Sequence, residues 1–355
     1  MATQDRRTVS GTRMASDPSG SGTGTGTGTT TEAPPTERPR PAAILAVVAL
    51  AGTSIGALLA DLYDITTMAR FTWAVTVPSL LVLAVLTRTK AFGPELDRHI
   101  EVGAVGGLVG TLGYDLVRIP FAVAGYRLFA PIDSYGLLIG GADMSSPVTD
   151  TLGWLFHLSN GVTFGIIYAA VAARRHWGWG VLWGLVLESA VVFSPFRERY
   201  GLSGQHVSIA IAYGAHVAYG YPLGRIVQRL DRSADTLSGL GRRPATVAIA
   251  TTAAAILIWQ QPWQTSETRR LAGERADATG RPTAVVDTTR FSPEWLRTGN
   301  DTCIHVVNRS PNLFETAFGT LEPDTEGELC FDDPGVHRVK LGPSAYSGGF
   351  VLVDD

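Results

Sequence analysis

The sequence predicts an α-helical membrane bundle of seven transmembrane helices followed by a small all-β Greek-key sandwich. Three observations carry this expectation. The 355-residue chain is 45% hydrophobic and only 17% charged, with a positive mean hydropathy of +0.14, unlike an ordinary soluble enzyme. Its apolar residues gather in seven runs, each near the roughly 20 residues needed to cross about 30 Å of hydrocarbon. After the last run the pattern changes to short alternating stretches separated by turn residues, as strands require. The net charge of −3 supplies no basic footprint, so no nucleic-acid partner is expected.

Residues 1–40 contain the Gly-Thr run from Ser19 to Gly28, then Pro34, Pro35 and Pro39, with almost nothing apolar to bury. This composition predicts a disordered cytoplasmic tail. Its charged residues are not followed by an apolar stretch within the first 30 positions, so it does not read as a secretory signal. The membrane domain, 41–261, carries its runs at about 42–60, 71–88, 101–124, 150–172, 178–195, 207–226 and 245–261. Asp115 and Arg118 interrupt the third and Pro222 the sixth, and Pro78 and Pro222 are expected to kink their helices.

Basic residues fall unevenly between the two sides. Arg38, Arg40, Arg88, Lys90, Arg98, Arg174, Arg175, Arg225, Arg229, Arg232, Arg242 and Arg243 lie on one. Arg70, Arg127, Arg197 and Arg199, with Arg269, Arg270 and Arg275 after the last helix, lie on the other. This bias predicts a cytoplasmic N-terminus and an extracytoplasmic C-terminal part, in the plasma (inner) membrane, with the lipid bilayer as the first partner. Trp73, Trp154, Trp259 and Trp263 then fall at the outer interface and Trp177 and Trp179 at the inner one. The outer connection 125–149 holds an apolar stretch, Tyr135 to Gly141, expected to be re-entrant or interfacial. Arg197, Arg199 and His206 stand at the outer ends of the fifth and sixth helices.

Ionisable groups inside a span cost several kcal/mol unless paired or hydrated, so each is a functional candidate. Asp115 and Arg118 lie in the third helix, His157 in the fourth, Glu188 in the fifth and His216 in the sixth. All five come out between the bilayer centre and the outer face. The two histidines share a pattern: His157, Gly161, Gly165 and His216, Gly220, Gly224 both read His-x3-Gly-x3-Gly. The preceding helices lead through glycine rows to an acid, Gly103 and Gly107 before Asp115, and Gly180 and Gly184 before Glu188. Residues four apart share a helix face, and small residues on it let neighbours approach closely. The pattern predicts two helix pairs related by an internal repeat, with any site at their junction.

A metal held by Asp115, Glu188, His157 and His216 suits Zn or non-haem Fe. Haem ligation by His157 and His216 suits the glycines, which leave room for a porphyrin. A proton or ion relay through a transporter uses the same groups. Arg118, Asn160 and Tyr219 are the expected supporting residues. In a purely structural reading Asp115 pairs with Arg118, the histidines bond to neighbouring Ser, Asn or Tyr, and the protein is a membrane scaffold. A retinal protein is excluded, because the only lysines are Lys90 at a cytoplasmic edge and Lys340 near the C-terminus.

A polar linker, 262–282, leads to the last segment, 283–355. Over 281–355 six basic residues, from Arg281 to Lys340, face twice as many Asp and Glu, which predicts an acidic extracytoplasmic module able to bind a protein partner. Phe291-Ser292-Pro293-Glu294-Trp295-Leu296, the turn Gly299-Asn300-Asp301-Thr302 and the strand His305-Val306-Val307-Asn308 come first. Phe331-Asp332-Asp333-Pro334-Gly335-Val336-His337 and the closing Gly348-Gly349-Phe350-Val351-Leu352-Val353 follow. In this order they resemble the cupredoxin family over about 70 residues, which implies a two-sheet sandwich. Its copper site does not carry over. The loop after Asn308 has no His, and Leu341, Ser344 and Tyr346 stand where the resemblance implies Cys, His and Met. No type-1 copper is therefore expected. Cys303, His305, Cys330 and His337 remain as metal candidates. A disulfide between Cys303 and Cys330 is the competing expectation, although Phe331, read as core-facing, turns Cys330 outward.

Overall fold

The computed structural model describes residues 39–124, 128–194, 197, 206–232, 275–276, 280–299, 303–342 and 347–353. The expected N-terminal tail, the run at 245–261, Trp259, Trp263, Arg199, Ser344 and Tyr346 lie outside the described residues. Among the described residues seven helices come first: α1 (Pro41–Leu62), α2 (Met68–Arg88), α3 (Pro94–Val123), α4 (Ala130–Gly140), α5 (Pro147–Ala172), α6 (Gly178–Val192) and α7 (His206–Arg232). Among these α1, α2, α3 and α5 are long and apolar enough to cross a membrane, which marks the chain as membrane-spanning by length and composition. The 15-residue α6 is apolar but shorter.

Local chemistry sets the helix starts. Pro41, Pro94 and Pro147 begin α1, α3 and α5, where a missing N–H costs nothing. Ser146 caps α5 reciprocally: its hydroxyl accepts from the Thr149 amide at 3.3 Å, and its own amide donates to Thr149 Oγ1 at 2.7 Å. Within α2 the turn Thr72–Thr76 is π-helical, and Pro78 follows directly. Proline cannot donate to the carbonyl one turn back, and a wide turn accommodates that loss. The apolar stretch 135–141 ends α4, an 11-residue helix packed on α5, with Gly141 as its left-handed C-cap. A Cβ on Gly136 would collide with the Thr149 carbonyl, and one on Gly153 with that of Ile132.

Glycine rows bring the long helices together. A Cβ on Gly103 would stand 2.6 Å from the Gly165 carbonyl oxygen, and one on Gly180 would stand 2.5 Å from that of Gly220. α3 thus lies against α5, and α6 against α7. α3 also packs along α7, where Gly106 meets Leu223 and Gly113 meets Ala218. The numbering runs in opposite directions in each pair, so all three are antiparallel.

Nine strands follow among the described residues: β1 (Arg275–Ala276), β2 (Pro282–Val286), β3 (Arg290–Thr298), β4 (Cys303–Asn308), β5 (Phe314–Thr316), β6 (Gly319–Leu321), β7 (Glu326–Cys330), β8 (Gly335–Val339) and β9 (Gly348–Val353). They form a curled sheet in the order β7-β4-β2-β3-β9-β8, with β1 added to β2 and β5–β6 as a separate hairpin. The β2–β4 and β3–β9 pairs are parallel, and the other pairs are antiparallel. β3 pairs with β2 over its first residues and with β9 over its last, with a register shift between Arg290 and Trp295. Ile304, Val306, Leu296, Val351 and Phe331 share the core beneath the curl.

Helices and strands meet at one end. Trp295, stacked on Phe350, and Val336 pack with Leu58 and Leu62 of α1 and Tyr135 and Ile139 of α4. The short segment 143–145 lies along β8. The Arg338 amide donates to the Asp143 carbonyl at 2.7 Å and the Ser145 amide to the Val336 carbonyl at 2.8 Å. The Val336 amide donates to the Ser145 hydroxyl at 2.9 Å. The edge of β8 that faces away from β9 is thereby covered.

Candidate functional site

The glycine rows set the position of each ionisable group. Asp115 stands two turns beyond Gly107 on α3, and His157 one turn before Gly161 on α5. Because these helices touch at their glycines and run antiparallel, acid and imidazole meet: His157 Nε2 lies 3.0 and 3.2 Å from the two Asp115 carboxylate oxygens. The second pair repeats the device. Glu188 stands one turn beyond Gly184 on α6, and His216 one turn before Gly220 on α7, with His216 Nδ1 3.1 Å from Glu188 Oε2. The same nitrogen is 3.0 Å from the Ala212 carbonyl oxygen, to which it donates. Both carboxylates are almost wholly buried. Glu188 Oε1 is buried with no hydrogen-bond partner, and such an atom is costly to leave unmatched.

Arg118 joins the first pair, its Nη1 3.5 Å from Asp115 Oδ1 at the i,i+3 spacing. Its guanidinium also lies over the rings of Tyr114 and Phe129, 4.7 and 4.3 Å from their centroids, a favourable setting for a buried cation. Tyr114 connects the two pairs. Its ring stands edge-on to His216 at 4.8 Å and tilted to His157 at 6.0 Å. Trp154 meets the other side of His157 at 5.7 Å.

The structure brings together Asp115, His157 and Arg118, and places Glu188 with His216 beside them across Tyr114. Asn160 and Tyr219 serve elsewhere. Asn160 Oδ1 accepts from the Ser54 hydroxyl on α1 at 2.6 Å, and the Tyr219 hydroxyl donates to the Gly161 carbonyl at 2.8 Å. Both lock helices together. The sequence reading missed Tyr114, Phe129 and the buried role of Trp154. The i,i+4 spacing of Tyr114 and Arg118, which puts ring and guanidinium on one face, was the available signal. Trp154 is 1% exposed and is no interfacial belt residue, because α4 covers that face of α5. Trp73 and Trp179 do remain exposed. Arg197 and His206 are exposed as well.

As donors, the four expected ligands stand as two pairs. Among the described residues the one group of three His, Cys, Asp or Glu donor atoms within 4.8 Å of one another is Cys303, Glu328 and Cys330. Cys303 and Cys330 are joined by a disulfide, as direct partners of β4 and β7. Alternation turns both away from the core while Ile304, Leu329 and Phe331 fill it, so an outward Cys330 is compatible with the bond.

Of the positions where the cupredoxin resemblance implies Cys, His and Met, only Leu341 lies among the described residues, and it offers no donor to a copper ion. Asn308 is 1% exposed and staples loops: its Nδ2 donates to the carbonyls of Asn312 and Glu322, each at 2.9 Å, and its Oδ1 accepts from the Ser310 amide and hydroxyl. Leu341 is buried in the core. His337 is buried beside Phe318 and Phe331, with Nε2 2.7 Å from the Asp333 carbonyl.

Comparison with protein-family profiles, with curated proteins and with solved structures finds no match.

Proposed function

We propose that this chain is a membrane protein that handles protons or ions through the paired sites of α3, α5, α6 and α7. The observation that carries the reading is the repeated acid–imidazole contact, Asp115 with His157 and Glu188 with His216, flanking the Tyr114 ring. An imidazole hydrogen-bonded to a carboxylate passes a proton with little motion of either group. Two such pairs side by side in the low-dielectric part of a bundle are what a relay requires. The unmatched Glu188 Oε1 supplies an open acceptor. Reconstituted into liposomes holding a pH-sensitive dye, the full chain should admit protons when a potential is imposed. Glu188→Gln and Asp115→Asn should each lower the flux at least tenfold. Flux equal to that of empty liposomes, or unchanged in both variants, overturns the proposal.

A second reading rests on the free ring nitrogens. His157 turns Nε2 toward the Asp115 carboxylate, and His216 turns Nδ1 toward the Ala212 carbonyl and Glu188, as metal-bound histidines commonly do with their second nitrogen. A metal or haem on the remaining nitrogens is tested by metal content and by a Soret band in the purified protein.

In the same reading the chain crosses the plasma (inner) membrane seven times with its N-terminus in the cytoplasm. α7 runs antiparallel to α3 and so ends at Arg232 on the end away from the β-module, and the apolar run 245–261 has the length for a return. The C-terminal module is a cupredoxin-type sandwich without copper. Its parallel β2–β4 and β3–β9 pairs and the register shift within β3, which curls the sheet, support that assignment.

A further inference from the structure

The outer face of β4 and β7 gathers a second set of donors, independent of the membrane site. Cys303 and Cys330 face each other across the two strands, and on the next rung of the same face His305 stands opposite Glu328. The two sulfurs and a Glu328 carboxylate oxygen lie within 4.8 Å of one another. Cys330 and Glu328 are exposed and Cys303 is half-buried, so reductant and solute both have access. His305 Nε2 is 3.3 Å from Glu326 Oε2, which holds the imidazole on this face. Arg281 pairs with Glu328 and offsets part of the local negative charge. Beneath the face, Ile304, Val306 and Leu329 are fully buried, so the strands present these donors from a fixed base.

We propose that this face is a redox-gated zinc site, closed while Cys303 and Cys330 are joined and opened by their reduction. A dithiol reductant exchanges with the protein disulfide: the S–S bond breaks, the dithiol becomes a cyclic disulfide, and two cysteine thiols form on the protein. Zn2+ then displaces both thiol protons and binds two thiolates, with Glu328 and His305 completing four ligands. Two sulfurs, an imidazole and a carboxylate are a tetrahedral donor set suited to Zn2+, with Zn–S near about 2.3 Å and Zn–N near about 2.0 Å. Closing the donors onto one ion requires side-chain rotation, with the strand register unchanged. While the disulfide holds, neither sulfur is a thiolate and the set lacks its strongest ligands.

The test titrates Zn2+ into the full-length detergent-solubilised protein, oxidised and dithiol-reduced, against a chromophoric chelator. The reduced chain should take up one Zn2+ more than the oxidised chain. That extra ion should vanish in the Cys303→Ser, Cys330→Ser double variant, which separates it from any zinc held in the membrane domain. Glu328→Gln and His305→Ala fold with the disulfide intact and, once reduced, should each bind the extra ion at least tenfold more weakly. Equal uptake by oxidised and reduced protein overturns the proposal. So does unchanged affinity in both single variants, or loss of the near-UV dichroism of the Trp295 and Phe350 region on reduction.

Discussion

Replacing Gly180 by Ala tests whether the glycine rows set the geometry of the site. The new Cβ would stand 2.5 Å from the Gly220 carbonyl oxygen and 2.7 Å from Gly224 Cα and N. All three are backbone atoms, so no side-chain rotation relieves the contact. Bringing the closest approach to ordinary contact separates α6 from α7 by about 0.9 Å. Carried along the helix, that shift opens the 3.1 Å contact of Glu188 with His216 to about 4 Å, beyond hydrogen-bond distance. Overpacking of this kind costs about 1–3 kcal/mol, offset by up to about 1 kcal/mol of helix propensity gained over glycine. Gly52→Ala is the control, because nothing lies within 4 Å of a Cβ there and only the propensity gain remains. Unfolding in mixed micelles with rising dodecyl sulfate, followed by tryptophan fluorescence, should show Gly180→Ala destabilised by about 1–2 kcal/mol. Gly52→Ala should be unchanged or slightly stabilised. Two variants displaced in the same direction by the same amount would refute the reasoning.

Three further outcomes follow from named contacts. Asp115→Ala leaves the buried Arg118 guanidinium without its carboxylate and should cost about 3–5 kcal/mol in the same micelle assay, whereas Asp115→Asn, which keeps an acceptor in place, should cost less than half of that. Asn308→Ala removes the staple between the loops at 309–312 and 321–322, and should lower the stability of the β-module by about 2–4 kcal/mol in thermal unfolding followed by circular dichroism. Ser145→Pro abolishes both hydrogen bonds between residue 145 and Val336, the one its amide donates and the one its hydroxyl accepts. Amide exchange at Val336 and Arg338 should quicken at least tenfold in that variant and by less in Ser145→Ala, which keeps the amide.

The legible parts of the chain were those governed by local pattern. Apolar runs located six of the described helices, four of them long and apolar enough to cross a membrane, although Pro94–Val123 begins and His206–Arg232 ends more than a turn beyond the apolar run, where polar residues continue the helix. The His-x3-Gly-x3-Gly repeat foretold the helix pairing, since four-residue spacing is itself a statement about faces. Alternation around Phe331 gave the facing of β7. Contacts between distant segments were not legible. Nothing near Tyr114 announces that its ring separates two histidines contributed by α5 and α7. Asn160 and Tyr219 sit among site residues in sequence, yet their polar atoms face α1 and α5 once the helices are in place. Trp154 looked interfacial because the covering helix α4 reads as an apolar loop of indefinite depth. The pairing of Asp143 and Ser145 with β8 spans some 190 positions and has no periodic trace.

That last pairing bears on how the protein is made. A chain emerging in order reaches residues 143–145 long before β8, so the segment that receives Val336 and Arg338 is made some 190 positions ahead of them. Severed from the helices, residues 275–355 would expose both the β8 edge and the Trp295–Phe350 surface at once. Such a fragment is predisposed to pair with copies of itself, and the intact chain avoids this by covering that edge with residues 143–145 from its own middle.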